Sequence, residues 1–139
     1  MLTVVAEHVF QMPIDVLWAA IGDFGQTGKW SGRPAEACVQ QGIGIGALRT
    51  LTIQDGRVIV DRLEAQTDTS YTYSIVSGPL PYKSYRATMA VEPVDAENTR
   101  FRWTGEFEAE GITDEKAIEL TRNIYAMGIG MMRTTLEGA

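Results

Sequence analysis

The sequence has few of the residues that carry metal or redox chemistry. Of its 139 residues, one is a cysteine, Cys38, and one is a histidine, His8. A lone cysteine cannot form an intramolecular disulfide, so we expect Cys38 to be a small, half-buried apolar residue. No second metal-ligating residue lies at a suitable spacing from His8 to hold a metal ion. We therefore interpret His8 as a structural or exposed residue of the first strand. No metal site and no cofactor are predicted.

Basic residues are also scarce. Twelve lysines and arginines stand against 18 aspartates and glutamates, which gives a formal charge of −6. This charge argues against nucleic acid or an anionic membrane as a partner, because neither is attracted by the overall field. The N-terminus lacks the basic and apolar parts of a signal peptide, and no segment approaches the roughly 20 apolar residues of a membrane span. We therefore predict a cytoplasmic protein without membrane insertion, folded as a single domain over residues 1–139.

Alternating apolar residues and turn signals predict a series of strands. The expected strands cover residues 3–11, 36–41, 47–53, 57–66, 69–77, 83–92 and 99–110. Pro13 ends the first strand and opens a short helix, and a second short element or loop ends at Trp30. Residues 42–46 form a glycine-rich turn, and residues 54–56 carry a hairpin signal. A mostly antiparallel sheet followed by one long helix is an α+β arrangement.

That long helix is predicted over residues 114–136 by its apolar periodicity. Thr113 is suited to the N-cap, and acidic residues in the first turn interact favourably with the helix dipole. Gly128 falls near the centre of the apolar face, where glycine costs about 1 kcal/mol relative to alanine. Either this glycine leaves room for a ligand, or the backbone packs closely against a neighbour or bends there.

Small residues also interrupt the inward faces of two predicted strands. Ala87 lies among large residues on one strand, and Gly105 lies among aromatic residues on the next. Together with Gly128 on the helix above, they indicate a curved sheet that the helix does not fill completely. A concave, mostly apolar site with a few polar groups is the usual composition of a small-molecule pocket. The pattern therefore favours Gly128 as a residue that lines a cavity.

Several segments together point to a known family. They are residues 13–18 (PIDVLW), 23–24 (DF), Trp30, 46–51 (GALRTL), 61–64 (DRLE), 73–75 (YSI), 78–81 (GPLP), 85–86 (YR) and Trp103. On these segments the chain resembles the START-like (SRPBCC) helix-grip superfamily, which includes birch-pollen-allergen-like and polyketide cyclase/dehydrase-like proteins. The resemblance implies an antiparallel curved sheet of about seven strands wrapped around a long C-terminal helix, with one or two short helices after the first strand. It also implies an internal cavity between sheet and helix, used for lipids, sterols, polyketides or plant hormones.

The same segments are similar to those of the plant abscisic-acid receptors, which belong to this superfamily. By this similarity, residues 54–56 take the place of a gate loop and residues 79–81 that of a latch loop. The similarity implies ligand contacts by Asp61, Tyr73, Tyr85, Ala87, Leu120, Ile124 and Gly128. The turn at residues 54–56 is shorter than the receptors' gate and lacks its Ser-Gly-Leu-Pro pattern. Residues 36–41 offer no lysine to pair with a ligand carboxylate, so only the pocket is carried over.

Two charged residues occupy inward-facing positions on neighbouring predicted strands. Asp61 alternates with apolar residues, and Arg49 shares its phase with apolar residues of the preceding strand. Either the two form a buried pair across adjacent strands, or both lie solvated at the open end of the sheet. Tyr73 and Tyr85 either present hydroxyl groups to a ligand or fill the sheet face. The complete set of predicted ligand-binding residues is Trp30, Arg49, Asp61, Tyr73, Leu80, Tyr85, Ala87, Trp103, Leu120, Ile124 and Gly128.

Three functional hypotheses follow. The first is a protein that binds a small hydrophobic or amphipathic molecule, such as a lipid or polyketide, in the cavity under the last helix. The second is a polyketide cyclase, aromatase or dehydratase, with Arg49, Asp61 and Tyr85 as candidate acid–base and anion-holding groups. The third is a cavity-free interaction module such as a homodimer, against which the charged outer sheet face argues. The ligand, any reaction and the oligomeric state stay open.

Overall fold

Seven antiparallel strands and a long C-terminal helix make up the chain. The structure is a computed structural model that describes residues 1–138; Ala139, the last residue of the predicted domain, lies outside them. Its elements are β1 (Leu2–Phe10), α1 (Ile14–Ile21), α2 (Gly28–Ser31), a 3₁₀ turn (Ala35–Ala37), β2 (Cys38–Gln41), β3 (Leu48–Thr52), β4 (Val58–Thr67), β5 (Ser70–Ser77), β6 (Tyr82–Pro93), β7 (Thr99–Ala109) and α3 (Asp114–Glu137). The strands form one sheet in the order β1-β7-β6-β5-β4-β3-β2. The predicted α+β helix-grip fold is confirmed.

The core lies between the inner face of this sheet and α3. The helix packs against β1, β7 and α2. The short helices α1 and α2 connect β1 at one edge of the sheet to β2 at the other edge. β-Bulges interrupt the pairing of β4 with β5 at Asp61 and next to Leu63, and bulges of this kind bend and twist a strand. β4 is therefore bent where it carries Asp61 and Leu63.

The strand predicted over residues 36–41 is shorter than expected. Residues Ala35–Ala37 form a 3₁₀ turn, and β2 begins only at Cys38. Pro34 precedes the turn with a φ of −63°, the value its ring imposes, so the chain turns before it can enter the sheet. Cys38 is buried, and its thiol donates to the carbonyl of Gly25 at 3.4 Å.

The outer face of the sheet carries ion pairs, as expected from its charged residues. Arg102 donates to Glu7 at 2.7 Å across β7 and β1, and Arg100 donates to Glu92 at 2.9 Å across β7 and β6. Opposite charges on facing strands are compatible with the pleated, half-solvated surface. Within residues 1–138, none of the helices combines the length and the apolar content needed to span a membrane.

The N-cap of α3 allows a direct test of the helix boundary. The Thr113 hydroxyl accepts a hydrogen bond from the backbone N–H of Lys116 at 3.2 Å. Replacing Thr113 by alanine leaves that N–H without its protein partner, and we expect the free energy of unfolding to fall by about 1 kcal/mol in urea denaturation. Thr134→Ala, at an exposed position inside the same helix, is the matched control, and an equal loss there would contradict the capping role.

Candidate functional site

Of the two alternatives for Arg49 and Asp61, the structure contains the buried ion pair. The two residues face each other in the register of β3 and β4, and Nε of Arg49 donates to Oδ2 of Asp61 at 2.9 Å. Their side chains are only 4% and 2% exposed. The alternative, in which both residues lie solvated at the end of the sheet, is therefore wrong.

Aromatic residues enclose the guanidinium of Arg49. Its Nη1 donates to the carbonyl of Phe24 at 3.0 Å and to the hydroxyl of Tyr71 at 3.2 Å. Its central carbon lies 4.3 Å from the ring centroid of Phe24 and 4.7 Å from that of Tyr73. The faces of aromatic rings attract a cation, more strongly where water is excluded. The charge of Arg49 is thus stabilised by aromatic rings, one carbonyl and one hydroxyl as well as by Asp61.

The protonation of the pair follows from these surroundings. Burial raises the pKa of Asp61 above its ordinary value, and the neighbouring Arg49 charge counteracts part of that rise. Burial alone would lower the pKa of Arg49, but its interactions with Tyr71 and Asp61 outweigh burial and raise it. Arg49 therefore stays cationic, and its charge must be compensated inside the protein.

Three tyrosine hydroxyls form a chain beside this pair. The hydroxyls of Tyr73 and Tyr85 lie 3.3 Å apart, and those of Tyr85 and Tyr125 lie 2.5 Å apart. Trp103 donates its indole N–H to the hydroxyl of Tyr73 at 3.2 Å. Burial is the main cause that raises the pKa of all three phenols, so they remain neutral donors and acceptors at physiological pH.

The hydrogen-bonding capacity of this cluster exceeds what it uses. The three phenols carry three O–H protons for two bonds between them, so one proton is left over in any arrangement. Two further buried atoms of the described residues have no partner, Nε1 of Trp30 and Oδ1 of Asp61. Each unpaired buried polar atom typically costs about 1–3 kcal/mol. The interior therefore has donors and an acceptor available to a further polar group.

The space left by the small residues is filled by rings of the protein itself. A side chain at Gly128 would place its Cβ 2.6 Å from the indole of Trp103. The Trp103 ring in turn stacks on Tyr125 at a centroid distance of 4.3 Å and an interplanar angle of 15°. A Cβ at Gly105 would meet the Tyr125 hydroxyl, so each glycine accommodates one ring of the stacked pair. Of the two interpretations given above for Gly128, the structure therefore shows close packing: the glycine lies against the Trp103 ring and not beside free space.

The remaining predicted site residues are only partly brought together. Ala87 is buried and faces Tyr73 on β5 and Gly105 on β7 in the strand register, so it belongs to the floor of the cluster. Ile124 is half-buried and packs against the core. Leu80, in the loop between β5 and β6, and Leu120, on α3, are half-buried.

Sequence reasoning missed three residues that help to build the site. Tyr71 shares the alternation phase of Tyr73, and its hydroxyl accepts from Arg49 and donates to the sulfur of Met89 at 3.0 Å. Tyr125 lies on the same apolar helix face as Gly128. Both signals were in the sequence, whereas the contact of Phe24 with Arg49 comes from a loop whose path no periodicity reveals.

Comparisons with known proteins agree with this fold. An uncharacterized protein from Bacillus thuringiensis is 27% identical, with 97% of this chain aligned to 99% of that chain at a TM-score of 0.85. Protein XoxI from Bacillus cereus is 28% identical over 96% of this chain and 94% of its own, at a TM-score of 0.84. A START superfamily protein from Mycobacterium smegmatis is 10% identical over 98% and 97% of the two chains, at a TM-score of 0.81. This last similarity shows the fold alone.

No curated protein matches the sequence. Residues 1–137 match the family described as "Polyketide cyclase / dehydrase and lipid transport". The match covers all seven strands and α3. The chain therefore belongs to the polyketide cyclase/dehydrase and lipid transport family, and its fold is START-like.

Proposed function

We propose that the protein binds a small, mostly apolar molecule between the sheet and α3, and that this molecule carries a hydroxyl or carbonyl group. The observation that carries the proposal is the unused hydrogen-bonding capacity of the buried cluster. Oδ1 of Asp61 accepts from no donor, Nε1 of Trp30 donates to no acceptor, and one phenol proton is left over. A ligand hydroxyl supplies both a donor and an acceptor, so it can bond either to an unpaired donor or to the unpaired acceptor.

The surroundings select an aromatic or otherwise flat apolar body. Trp30 meets the edge of Trp103 at a centroid distance of 6.5 Å, and Trp103 stacks on Tyr125 at 4.3 Å. A ligand enters this region only by displacing one ring of the stacked pair. The protein then loses an aromatic contact worth about 0.5–1.5 kcal/mol, which a flat ligand replaces with a contact of the same kind. The family description, with its polyketide and lipid ligands, agrees with this chemistry.

Binding is favoured over catalysis by how the three candidate catalytic groups are held. Arg49 and Asp61 are bonded to each other at 2.9 Å, and the hydroxyl of Tyr85 has a tyrosine hydroxyl on either side. Burial raises the pKa of Tyr85 well above its ordinary value, so this phenol does not act as a base at neutral pH. The alternative is a cyclase or dehydratase activity in the same space. It needs a substrate that displaces the hydrogen bonds between Arg49 and Asp61 and between the tyrosine hydroxyls.

The test is an NMR titration of the ¹⁵N-labelled protein with 2-naphthol and, separately, with 2-methylnaphthalene. The two probes have the same flat body and differ in the hydroxyl group. We expect the indole N–H signals of Trp30 and Trp103 to shift, and 2-naphthol to bind about tenfold more tightly, which corresponds to about one or two hydrogen bonds. Native mass spectrometry of protein purified without detergent checks whether a ligand is retained from the cell.

Asp61→Asn sharpens the test. Asparagine keeps the shape and an acceptor for Arg49 but presents an N–H₂ group, a donor, in place of the unpaired oxygen. The ligand hydroxyl then bonds to a neutral amide instead of a carboxylate, and because hydrogen bonds to charged groups are the stronger ones, the preference for 2-naphthol is expected to shrink to about threefold or less. Glu7→Gln, on the exposed face of β1, is the control and keeps the full preference. If neither probe shifts Trp30 or Trp103 and mass spectrometry finds only the bare chain, the proposal is wrong.

A further inference from the structure

The side of the molecule where α1 and α2 meet the glycine-rich loop of residues 42–46 lies outside the sheet–helix interior. A groove of about 480 Å³ lies there, within the size range of small-molecule sites. Its floor is apolar and consists of Trp18, Phe24 and Leu63. Phe24 and Leu63 are 3% and 2% exposed, and the Phe24 ring also contacts the guanidinium of Arg49 in the interior, at 4.3 Å.

The indole of Trp18 forms a flat wall that depends on a glycine. Gly22 follows the last turn of α1, and its backbone N–H donates to the carbonyl of Trp18 at 2.8 Å. A Cβ at Gly22 would lie 2.4 Å from the indole ring, so only a glycine lets the indole lie against the helix end in this position. The wall is therefore held by backbone geometry before any ligand arrives.

The rim of the groove offers one cation. Lys29 is exposed, and among residues 1–138 no carboxylate oxygen lies within 4.0 Å of its ammonium group. Asp23, the other charged residue on the rim, directs Oδ1 to the backbone N–H of Gly25 at 3.0 Å and so stabilises the turn between α1 and α2. An anionic group beside Lys29 supplies the ion pair that the protein leaves open.

A single apolar side chain stands over this groove. Ile43 is 97% exposed, although it lines the groove, and it sits between Gly42 and Gly44. Both glycines have positive φ, 90° and 75°, a region that glycine enters without cost. A Cβ at Gly44 would meet no atom within 4 Å, so the space beside Gly44 is open. An isoleucine left in water gains from covering an apolar ligand on the floor.

From these four features we infer that the groove binds a planar aromatic carboxylate. The aromatic body stacks on Trp18 above Phe24 and Leu63, the carboxylate pairs with Lys29, and Ile43 closes over the exposed edge. This site is separate from the interior site proposed above, and neither site depends on the other.

The probe for the groove is 2-naphthoate, followed in ¹H–¹⁵N spectra of the full chain. We expect shifts at the indole N–H of Trp18 and at the amides of Gly22 and Gly44, with the Trp103 indole signal unchanged. Lys29→Gln should weaken binding about three- to fivefold, as expected for an exposed ion pair, and should remove its dependence on salt. Ile43→Ser should weaken it about three- to tenfold through lost apolar burial.

Lys83→Gln, an exposed lysine on β6 that does not line the groove, is the control and should bind like the unmodified chain. Lys29 and Ile43 are both exposed, so neither substitution is expected to disturb folding. Binding of 2-naphthoate that shifts Trp103 instead of Trp18 would overturn the inference. So would equal affinity of the Lys29→Gln and Lys83→Gln variants, or the absence of binding at millimolar probe concentrations.

Discussion

Replacing Asp61 by leucine is expected to lower the free energy of unfolding by about 3–5 kcal/mol, the usual cost of removing one partner of a buried ion pair. The variant leaves Arg49 charged, 4% exposed and without its carboxylate. The carbonyl of Phe24 and the hydroxyl of Tyr71 remain as acceptors, but neither carries a neutralising charge. Urea denaturation followed by circular dichroism measures the loss.

The double variant Arg49→Met/Asp61→Leu is expected to recover most of that loss. Two apolar side chains of similar volume replace the pair, and such replacements are often neutral or stabilising because desolvation of both charges is avoided. The double-mutant cycle should therefore give a coupling energy of about 2–3 kcal/mol or more. The exposed pair of Glu7 and Arg102, whose atoms lie 2.7 Å apart, is the control, and its cycle should give about 1 kcal/mol or less.

If the double variant loses as much stability as the two single variants together, the ion pair is not what links the two residues. If it recovers its stability, it becomes a tool for the proposed function. It keeps the fold and lacks the unpaired carboxylate oxygen, so the preference for 2-naphthol over 2-methylnaphthalene should shrink, although Nε1 of Trp30 and the leftover phenol proton can still bond to the hydroxyl. If apolar residues in place of Arg49 and Asp61 give an equally stable protein, the ion pair does not serve stability, and its polar atoms serve another purpose.

That Arg49 and Asp61 face inward was predictable because strand side chains alternate with a period of two, whereas the sequence left open whether the two are buried or solvated. Two inward positions on adjacent strands that are joined by a short hairpin turn must meet once the turn sets the register. The bounds of α3 were predictable for a similar reason, since the cap at Thr113 and the apolar periodicity agree. Local signals of this kind also placed the strands within a few residues and gave the order of elements, and the resemblance added that the sheet wraps around the helix.

The filling of the interior was not predictable in the same way. Small residues at Ala87, Gly105 and Gly128 indicate that side-chain volume is missing on facing surfaces, but they do not say what enters the space. Here Trp103 and Tyr125 fill it, because each ring has a rotamer that reaches across to the opposite glycine. Which rotamer a large aromatic side chain adopts depends on all its neighbours at once, and periodicity carries no information about it.

Two glycines of α3 give the last test, because their surroundings are opposite. Gly128 is buried against Trp103, whereas a Cβ at the exposed Gly130 would meet nothing within 4 Å. Gly130→Ala is expected to raise the free energy of unfolding by about 1 kcal/mol, the difference in helix propensity. Gly128→Ala has the same gain but must move an indole that is held by Tyr125 and by the hydroxyl of Tyr73.

Overpacking of a tight core typically costs about 1–3 kcal/mol, so Gly128→Ala should be less stable than Gly130→Ala by about that amount. The propensity gain is common to both variants and cancels in the comparison, which isolates the contact with Trp103. Urea denaturation measures the difference, and the Trp103 indole signal should shift in the Gly128 variant only. Equal stability of the two variants would mean that Trp103 moves aside without cost. The space beside Gly128 would then be open to a ligand, and the cost of displacing the stacked rings would disappear from the proposed binding reaction.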